Sequence, residues 1–256
     1  MRSELPTNRL GLLDTLRGFL LLEMFLYHAA WDLVYLFGVD WPWFAGTLAY
    51  VWQQSICWGF VLLSGFCYSL GRQPWRRGMA VFGAGVLVTV VTLLVMPKQR
   101  VLFGVLTLLG SCMLLLAPLR EKLNRFPAWA GLLGALLCFG LTRNLERGYL
   151  GFEGWNLLPL PGELYRNLFT AYLGFPPPAF FSTDYFSLFP WGFLFLAGYF
   201  LGRLCLARPH GMLFRQISPL SRVGRYSLPL YLIHQPAIYV ILTLFMVLRH
   251  GIGEIL

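Results

Sequence analysis

The chain has 256 residues, of which 57% are hydrophobic, 17% are aromatic and only 12% are charged. An ordinary soluble domain has about 25% charged residues, so this composition excludes a water-soluble globular protein. The net charge of +9 would suit nucleic acid, but the basic residues lie in short segments beside apolar runs rather than on a basic, aromatic-studded surface. We therefore predict a membrane protein that does not bind nucleic acid.

Apolar stretches long enough to cross a bilayer, at about 20 residues each, recur along the whole chain. They predict an all-α fold, a polytopic membrane helix bundle of about seven transmembrane helices that forms one domain over residues 1–256. The predicted spans lie near residues 16–38, 46–70, 78–96, 101–118, 127–143, 187–206 and 226–248. The proline-rich segment near 144–184 is too polar to span and predicts a long extracytoplasmic loop.

Most of the 20 lysines and arginines fall on one side of the predicted bundle. The positive-inside rule then predicts a cytoplasmic N-terminus and a C-terminus outside. The first apolar run is too long for a cleavable signal peptide. The five cysteines lie in apolar stretches without any C-x-x-C pair, so neither a disulfide framework nor a metal site is expected.

The first predicted span carries four ionisable residues on one face. At about 100° per residue, Arg17 and His28 lie within about 20° of each other, and Asp14 and Asp32 each lie about 60° from Arg17. Glu23 lies about 120° away and is expected to serve another contact. Ionisable side chains at membrane depth are energetically expensive, so they indicate a functional site.

His28 and Asp32 are one helical turn apart, so Asp32 is placed to accept a hydrogen bond from His28. A histidine oriented by a carboxylate is a plausible general base. The alternative is a polar patch that joins helices, or a proton path.

The last predicted span carries a second polar stripe, because Ser227, Tyr231 and His234 are spaced i, i+4 and i+7. The two stripes can face one interior cavity. The alternative is that Tyr231 and His234 hydrogen-bond a neighbouring helix.

Two further groups are candidates for ligand binding. Arg72, Arg76 and Arg77 follow the second span, and guanidinium groups suit phosphate oxygens, although membrane topology alone also places arginines there. Asp184 lies at the mouth of the sixth predicted span, near Tyr185 and Trp191, where it could receive a sugar; an interfacial aromatic belt is the alternative.

Five segments resemble a known family, the heparan-α-glucosaminide N-acetyltransferase catalytic-domain-like membrane proteins of bacteria. They are LDTLRGFLLLEMFLYHAAWDL, GFVLLSG, VLFGVLTLLG, DYFSLFPWGFLFLAGYFLGR and GRYSLPLYLIHQP. The D-x-x-R-G…H pattern, the LSG turn and the YLIH ending are also similar to the wider membrane O-acyltransferases that modify surface polysaccharides.

The resemblance implies a multi-pass acyltransferase of the bacterial inner membrane, in which cytosolic acyl-CoA, most simply acetyl-CoA, donates its acyl group to a hydroxyl or amine of an extracytoplasmic sugar or glycan. It implies that His28 is catalytic and that the coenzyme lies near Arg17 and the arginines that follow the second span. Helical spacing adds Asp32 as the catalytic partner of His28, and Asp14, on the same stripe as Arg17, is assigned to the coenzyme with it. The residues assigned to the acceptor are Asp184, Trp31, Tyr231 and His234. Expected partners are the lipid bilayer and the glycan, and a homodimer is compatible with this interpretation.

The eukaryotic glucosaminide enzymes have their proposed active histidine further along the chain, in a stretch that this sequence does not reproduce. The acceptor therefore stays open between an amine and a hydroxyl. A competing interpretation is a non-enzymatic transporter or flippase-like protein with a polar path through the bundle. It draws on Pro229 and Pro236, which are predicted to break the last helix.

Overall fold

The computed structural model describes residues 10–71, 73–207 and 211–250, and with 75% of the structure helical the fold is nearly all-α. The α-helices are α1 (Gly11–Tyr35), α2 (Thr47–Leu70), α3 (Pro74–Val95), α4 (Val105–Leu116), α5 (Arg120–Arg125), α6 (Ala128–Thr142), α7 (Leu168–Leu173), α8 (Leu188–Ala207), α9 (Ser218–Arg225) and α10 (Ser227–His250). Two short strands, β1 (Tyr149–Phe152) and β2 (Trp155–Pro159), form one hairpin.

A helix forms at each of the seven predicted stretches. Within the part of the chain that the structure describes, four helices are long and apolar enough to cross a membrane: Pro74–Val95, Ala128–Arg147, Leu188–Ala207 and Ser227–Leu248. The first two helices are equally long but contain more polar side chains, and α4 is short. Several membrane-spanning helices are therefore supported, while the count of seven and the orientation of the termini stay predictions.

The predicted loop near 144–184 contains regular structure that the sequence analysis did not anticipate. β1 and β2 pair antiparallel, from Tyr149 opposite Pro159 to Phe152 opposite Trp155. The buried amide of Asn144 donates to the carbonyl oxygens of Glu153 (2.8 Å) and Trp155 (3.1 Å) and so fastens the turn of the hairpin to the end of α6.

The last helix is continuous, so the prediction that two prolines break it is wrong. Pro229 lies in the first turn of α10, where a missing backbone N–H costs no helical hydrogen bond. Pro236 lies inside the helix, where its missing N–H leaves the carbonyl of Leu232 without its helical donor.

The chain divides into two compact units, Met1–Phe60 with Pro209–Leu256 and Val61–Arg208, and the boundary falls within α2. In the first unit α1 packs against α9 and α10. Its core contains Leu21, Met24 and Ile56, against which Leu230 and Tyr231 of α10 are packed.

Two glycines allow α1 and α9 to approach closely. A Cβ on Gly18 would lie 1.9 Å from the carbonyl oxygen of Leu220, and a Cβ on Gly224 would lie 1.9 Å from that of Asp14. Both distances are far below van der Waals contact, so each position requires glycine.

In the second unit α3 packs against α4, α6 packs against α8, and α4 also contacts α8. Gly110 of α4 lies against the backbone of Phe82, and Gly131 of α6 lies against the ring of Phe200. The guanidinium of Arg143 lies 5.0 Å from the ring centroid of Trp191 and forms a 3.0 Å ion pair with Glu153.

Candidate active site between the first and last helices

The helices α1 and α10 run in the same direction through the first unit. The ring of Phe25 in α1 lies 5.7 Å from that of His234 in α10, and Phe37, just beyond the end of α1, stacks on Tyr239 of α10 at 6.2 Å. Positions that come later along α1 therefore contact positions that come later along α10.

His28 and His234 face each other across these two helices. Their ring centroids are 4.8 Å apart and their planes are inclined by 63°. His234 is buried and His28 is half-buried. The two polar stripes therefore meet at these histidines, and the chemical role of each ring stays a prediction.

The environment of His234 selects one tautomer of its ring. Nδ1 contacts the carbonyl oxygen of Tyr231, one turn earlier on α10. A carbonyl oxygen only accepts hydrogen bonds, so Nδ1 carries the hydrogen and the lone pair of the neutral ring lies on Nε2. Nε2 is buried and has no hydrogen-bond partner among the described residues. A histidine held in this way presents an unoccupied basic nitrogen.

Asp32 is fully buried, and its carboxylate accepts a hydrogen bond from Gln235 of α10 rather than from His28. Its Oδ1 accepts a 2.8 Å hydrogen bond from Nε2 of Gln235, and its Oδ2 has no partner among the described residues. The predicted hydrogen bond from His28 to Asp32 is therefore not formed. The reason is the close packing of α1 on α10, which offers Asp32 an amide donor from the neighbouring helix; spacing along a single helix cannot anticipate this.

Gln235 is the residue that the sequence analysis missed. Its only signal was its place next to His234 at the end of the polar stripe, since its partner Asp32 is 203 positions away in the sequence. Its Oε1 is also buried without a hydrogen-bond partner among the described residues.

Two aromatic residues assigned to the acceptor lie in this unit. The ring of Tyr231 is 5.1 Å from that of His234, so Tyr231 belongs to the histidine cluster. Trp31 is half-buried, lies 5.2 Å from the ring of Tyr35 and packs against the cluster around Ala30 and Phe44.

Glu23 makes a separate contact, as its position off the polar stripe predicted. The indole Nε1 of Trp52 donates a 2.7 Å hydrogen bond to Oε2 of Glu23. This bond connects α1 with the part of α2 that belongs to the first unit.

Where α1 begins and packs against α9, both helices carry arginine residues. Arg17 forms a 3.1 Å ion pair with the buried Asp14. The hydroxyl of Thr15 accepts from the backbone N–H of Ile217 just before α9, which presents the exposed Arg222 and Arg225 in its last turn. Asp14 therefore neutralises and holds Arg17, while α9, which the sequence analysis did not predict, adds further positive charge to this unit.

The family model described as heparan-alpha-glucosaminide N-acetyltransferase, catalytic, matches residues 9–236. That range includes both facing histidines and the Asp32–Gln235 hydrogen bond. The chain belongs to this family. The resemblance inferred from the sequence motifs is thereby confirmed, and membership supports a membrane acetyltransferase. No curated protein and no solved structure matches the chain.

Three of the remaining residues assigned to a site in this acetyltransferase family member, Arg76, Arg77 and Asp184, lie in the second unit. Arg76 and Arg77 are exposed in the first turn of α3, and Arg72 lies outside the described residues. Oδ2 of Asp184 accepts a 3.3 Å hydrogen bond from the backbone N–H of Val105, so this carboxylate lies at the N-terminus of α4. A negative charge there is favoured by the helix dipole, which gives Asp184 a structural contact whatever its role toward a substrate.

Across the described ranges, no three His, Cys, Asp or Glu side chains are grouped closely enough to hold a metal ion. Among the described residues, the histidine cluster of this family member brings together the imidazoles of His28 and His234, and the nearby carboxylate of Asp32 is engaged by Gln235.

Proposed function

We propose that the protein transfers an acetyl group from acetyl-CoA to a hydroxyl or amine of a sugar or glycan acceptor. The observation that carries this proposal is the pair of facing imidazoles, His28 and His234, in which one buried nitrogen lacks a hydrogen-bond partner among the described residues. Membership of an acetyltransferase family supports acetyl as the group that is transferred.

In the proposed reaction, Nε2 of His234 accepts the proton of the acceptor O–H or N–H. The acceptor atom attacks the carbonyl carbon of the thioester and forms a new C–O or C–N bond. The C–S bond then breaks, and the imidazolium of His234 returns its proton to the departing thiolate. The products are the acetylated acceptor and free coenzyme A thiol, so atoms and charges balance.

In this proposal His28, whose ring faces that of His234, assists the same step. A ring N–H of His28 would donate to the thioester carbonyl oxygen, on which negative charge develops during the attack. The sequence analysis assigned the general base to His28 and assigned His234 to the binding of the acceptor. The Nδ1 contact of His234 with a carbonyl favours His234 as the base instead, because it leaves Nε2 as an acceptor.

The coenzyme would be bound through its phosphates by arginines at the first turns of α1. Arg17 is held by Asp14, and Arg222 and Arg225 extend from α9, which packs on the same turns. Planar guanidinium groups bind phosphate oxygens through paired hydrogen bonds. In this proposal Asp14 positions Arg17 rather than touching the coenzyme, since a carboxylate repels phosphate. The coenzyme contacts of Arg76 and Arg77 stay predictions.

We place this activity in the bacterial inner membrane, with acetyl-CoA entering from the cytosol and the acceptor outside. The several helices long and apolar enough to cross a membrane and the family membership support a multi-pass membrane protein. The proposed orientation rests on the distribution of arginine and lysine in the sequence.

The test uses purified protein in lipid nanodiscs, supplied with acetyl-CoA and a panel of amino and neutral sugars. Wild-type protein is expected to release coenzyme A thiol and to form an acetylated sugar detectable by mass spectrometry. His28→Ala is expected to lower the rate by roughly 10²- to 10⁴-fold, the usual contribution of an acid–base group. Leu26→Ala is the matched control, because Leu26 lies on the same helix with 51% of its surface exposed.

Two outcomes would overturn the proposal. One is an unchanged rate in His28→Ala and His234→Ala. The other is wild-type protein that neither transfers acetyl groups nor gives heat on titration with acetyl-CoA, which would favour the transporter interpretation.

A further inference from the structure

The side chains of Asp32 and Gln235 form a polar pair directly beside the facing histidines. Asp32 follows His28 by one turn on α1, and Gln235 follows His234 on α10. The 2.8 Å hydrogen bond from Gln235 Nε2 to Asp32 Oδ1 joins the two helices. A carboxylate oxygen only accepts, so the amide nitrogen of Gln235 must face Asp32 and the amide oxygen must face away.

Three of the buried side-chain atoms that have no hydrogen-bond partner among the described residues belong to this pair and to the neighbouring His234. They are Oδ2 of Asp32, Oε1 of Gln235 and Nε2 of His234. Buried polar atoms are almost always hydrogen-bonded in native proteins, and exceptions call for an explanation such as a bound ligand. Here the three atoms belong to side chains in direct contact or adjacent in sequence, and all three have the same hydrogen-bonding character.

We propose that Asp32 and Gln235 bind the acceptor substrate, by accepting hydrogen bonds from its hydroxyl or amine groups. This inference rests on the proposed function and extends it to the residues that select the acceptor. A ligand that satisfies three neighbouring acceptors must supply several O–H or N–H donors, as a polyol or amino-polyol does. Phosphate and carboxylate groups supply none at neutral pH and would be repelled by Asp32.

The arrangement also places the acceptor for reaction. One donor group of the substrate would lie on Nε2 of His234, which takes its proton, while neighbouring donors would lie on Asp32 and Gln235. Holding one sugar at two or three points fixes which of its hydroxyl or amine groups reaches the base. Asp32 and Gln235 are therefore specificity-determining residues, and His234 is the catalytic one.

The decisive measurement is a set of steady-state rates with acceptor and acetyl-CoA varied separately. Gln235→Met keeps the length of the side chain but removes both amide atoms. It is expected to raise the KM for the acceptor by about tenfold or more, the effect of losing a ligand hydrogen bond, with little change in the KM for acetyl-CoA. Gln235→Glu is expected to weaken acceptor use further, since it places a second carboxylate against Asp32.

Asp32→Asn is the second variant, because it preserves the shape of Asp32 and can still hydrogen-bond. It is expected to lower the use of amine acceptors more than the use of hydroxyl acceptors, since only an ammonium group gains from the charge of Asp32. Ile233→Ala is the matched control on α10, where Ile233 has 56% of its surface exposed, and it is expected to retain wild-type constants. Each variant is first checked for an unchanged elution profile and melting temperature.

The outcomes separate this inference from the proposed function. If the wild type transfers acetyl groups but the acceptor KM of Gln235→Met and Asp32→Asn stays at the wild-type value, the acceptor site is elsewhere. If the acetyl-CoA KM rises instead, the pair binds the pantetheine amides of the coenzyme and the inference is wrong. If the wild type transfers no acetyl group at all, the proposed function itself fails.

Discussion

Gly18 of α1 lies directly against the carbonyl of Leu220 of α9, at a distance that leaves no space for a methyl group. Gly18→Ala would place its Cβ 1.9 Å from that oxygen, so α1 and α9 must move apart. We expect a loss of stability of about 1–3 kcal/mol, as for overpacked interiors. Thermal unfolding of the purified protein measures it.

Gly134→Ala is the control for that substitution. Gly134 also lies within a helix, α6, but a Cβ there would meet nothing within 4 Å. Alanine is a better helix former, so this variant is expected to be neutral or more stable by about 0.5–1 kcal/mol. Equal melting temperatures for both alanine variants would contradict the close packing of α1 on α9.

Trp52 and Glu23 offer a test of the buried contact between α1 and α2. Trp52→Phe removes the indole donor and leaves the half-buried carboxylate of Glu23 without it, at an expected cost of about 1–3 kcal/mol. Adding Glu23→Leu removes the second partner as well, so the double variant is expected to recover most of the loss. Trp129→Phe, at a tryptophan with 67% of its surface exposed, serves as control. A double variant no more stable than Trp52→Phe would contradict the pairing.

Substitutions at Asp184 distinguish a structural role of its carboxylate from a role in binding the substrate. Asp184→Ala removes the acceptor at the N-terminus of α4 and is expected to cost about 0.5–2 kcal/mol, in the range of helix-cap substitutions. Asp184→Asn retains an oxygen acceptor and should lose less. Melting temperatures and acceptor KM values are measured together. An unchanged melting temperature with a raised acceptor KM would favour the sugar contact predicted from the sequence over the capping role.

Tyr185 predicts a pH effect outside the membrane-spanning helices. Burial, with a smaller contribution from the carboxylate of Glu146, raises the pKa of its hydroxyl above the ordinary value of about 10. The hydroxyl donates to the carbonyl of Ala171. Because the folded-state pKa is raised, the stability linked to this group is present below about pH 10 and is lost as the pH rises toward the folded-state pKa.

Tyr185→Phe provides the comparison for that titration. The wild type is expected to lose stability more steeply than Tyr185→Phe above about pH 10, and the Tyr185 phenolate should be missing from the absorbance of the folded protein at that pH. If the difference in phenolate absorbance between the wild type and Tyr185→Phe appears at the ordinary tyrosine pKa of about 10, Tyr185 is solvated and this prediction is contradicted.

Much of the helical architecture could be predicted because apolar run length is a direct physical requirement for crossing a bilayer. The extent of α8, Leu188–Ala207, matches the predicted 187–206 almost residue for residue. The hairpin β1–β2 could not be predicted, since its strands are short and their turn is held by Asn144 through bonds that no local pattern encodes. α9 was not predicted because it has eight residues and a largely polar sequence, too short and too polar for a span.

The candidate site was predictable only as far as one helix at a time allows. Helical spacing put His28 and His234 on polar stripes that could face each other, and their rings do lie together; it also set Glu23 apart, which contacts Trp52 instead. It paired Asp32 with His28 because both lie on α1, whereas the folded chain gives Asp32 a donor from α10. Contacts between helices distant in sequence depend on packing, which periodicity does not describe.

The most direct test of the central claim compares acetyl transfer by the wild type, His28→Gln, His234→Gln and the double variant at saturating substrates. If the two facing rings act on one reaction, each single variant loses roughly 10²-fold or more in rate, and the double variant loses much less than the product of the two. Near-wild-type transfer by the double variant, with its fold and acetyl-CoA binding intact, would contradict the assignment of the histidine pair as the catalytic site.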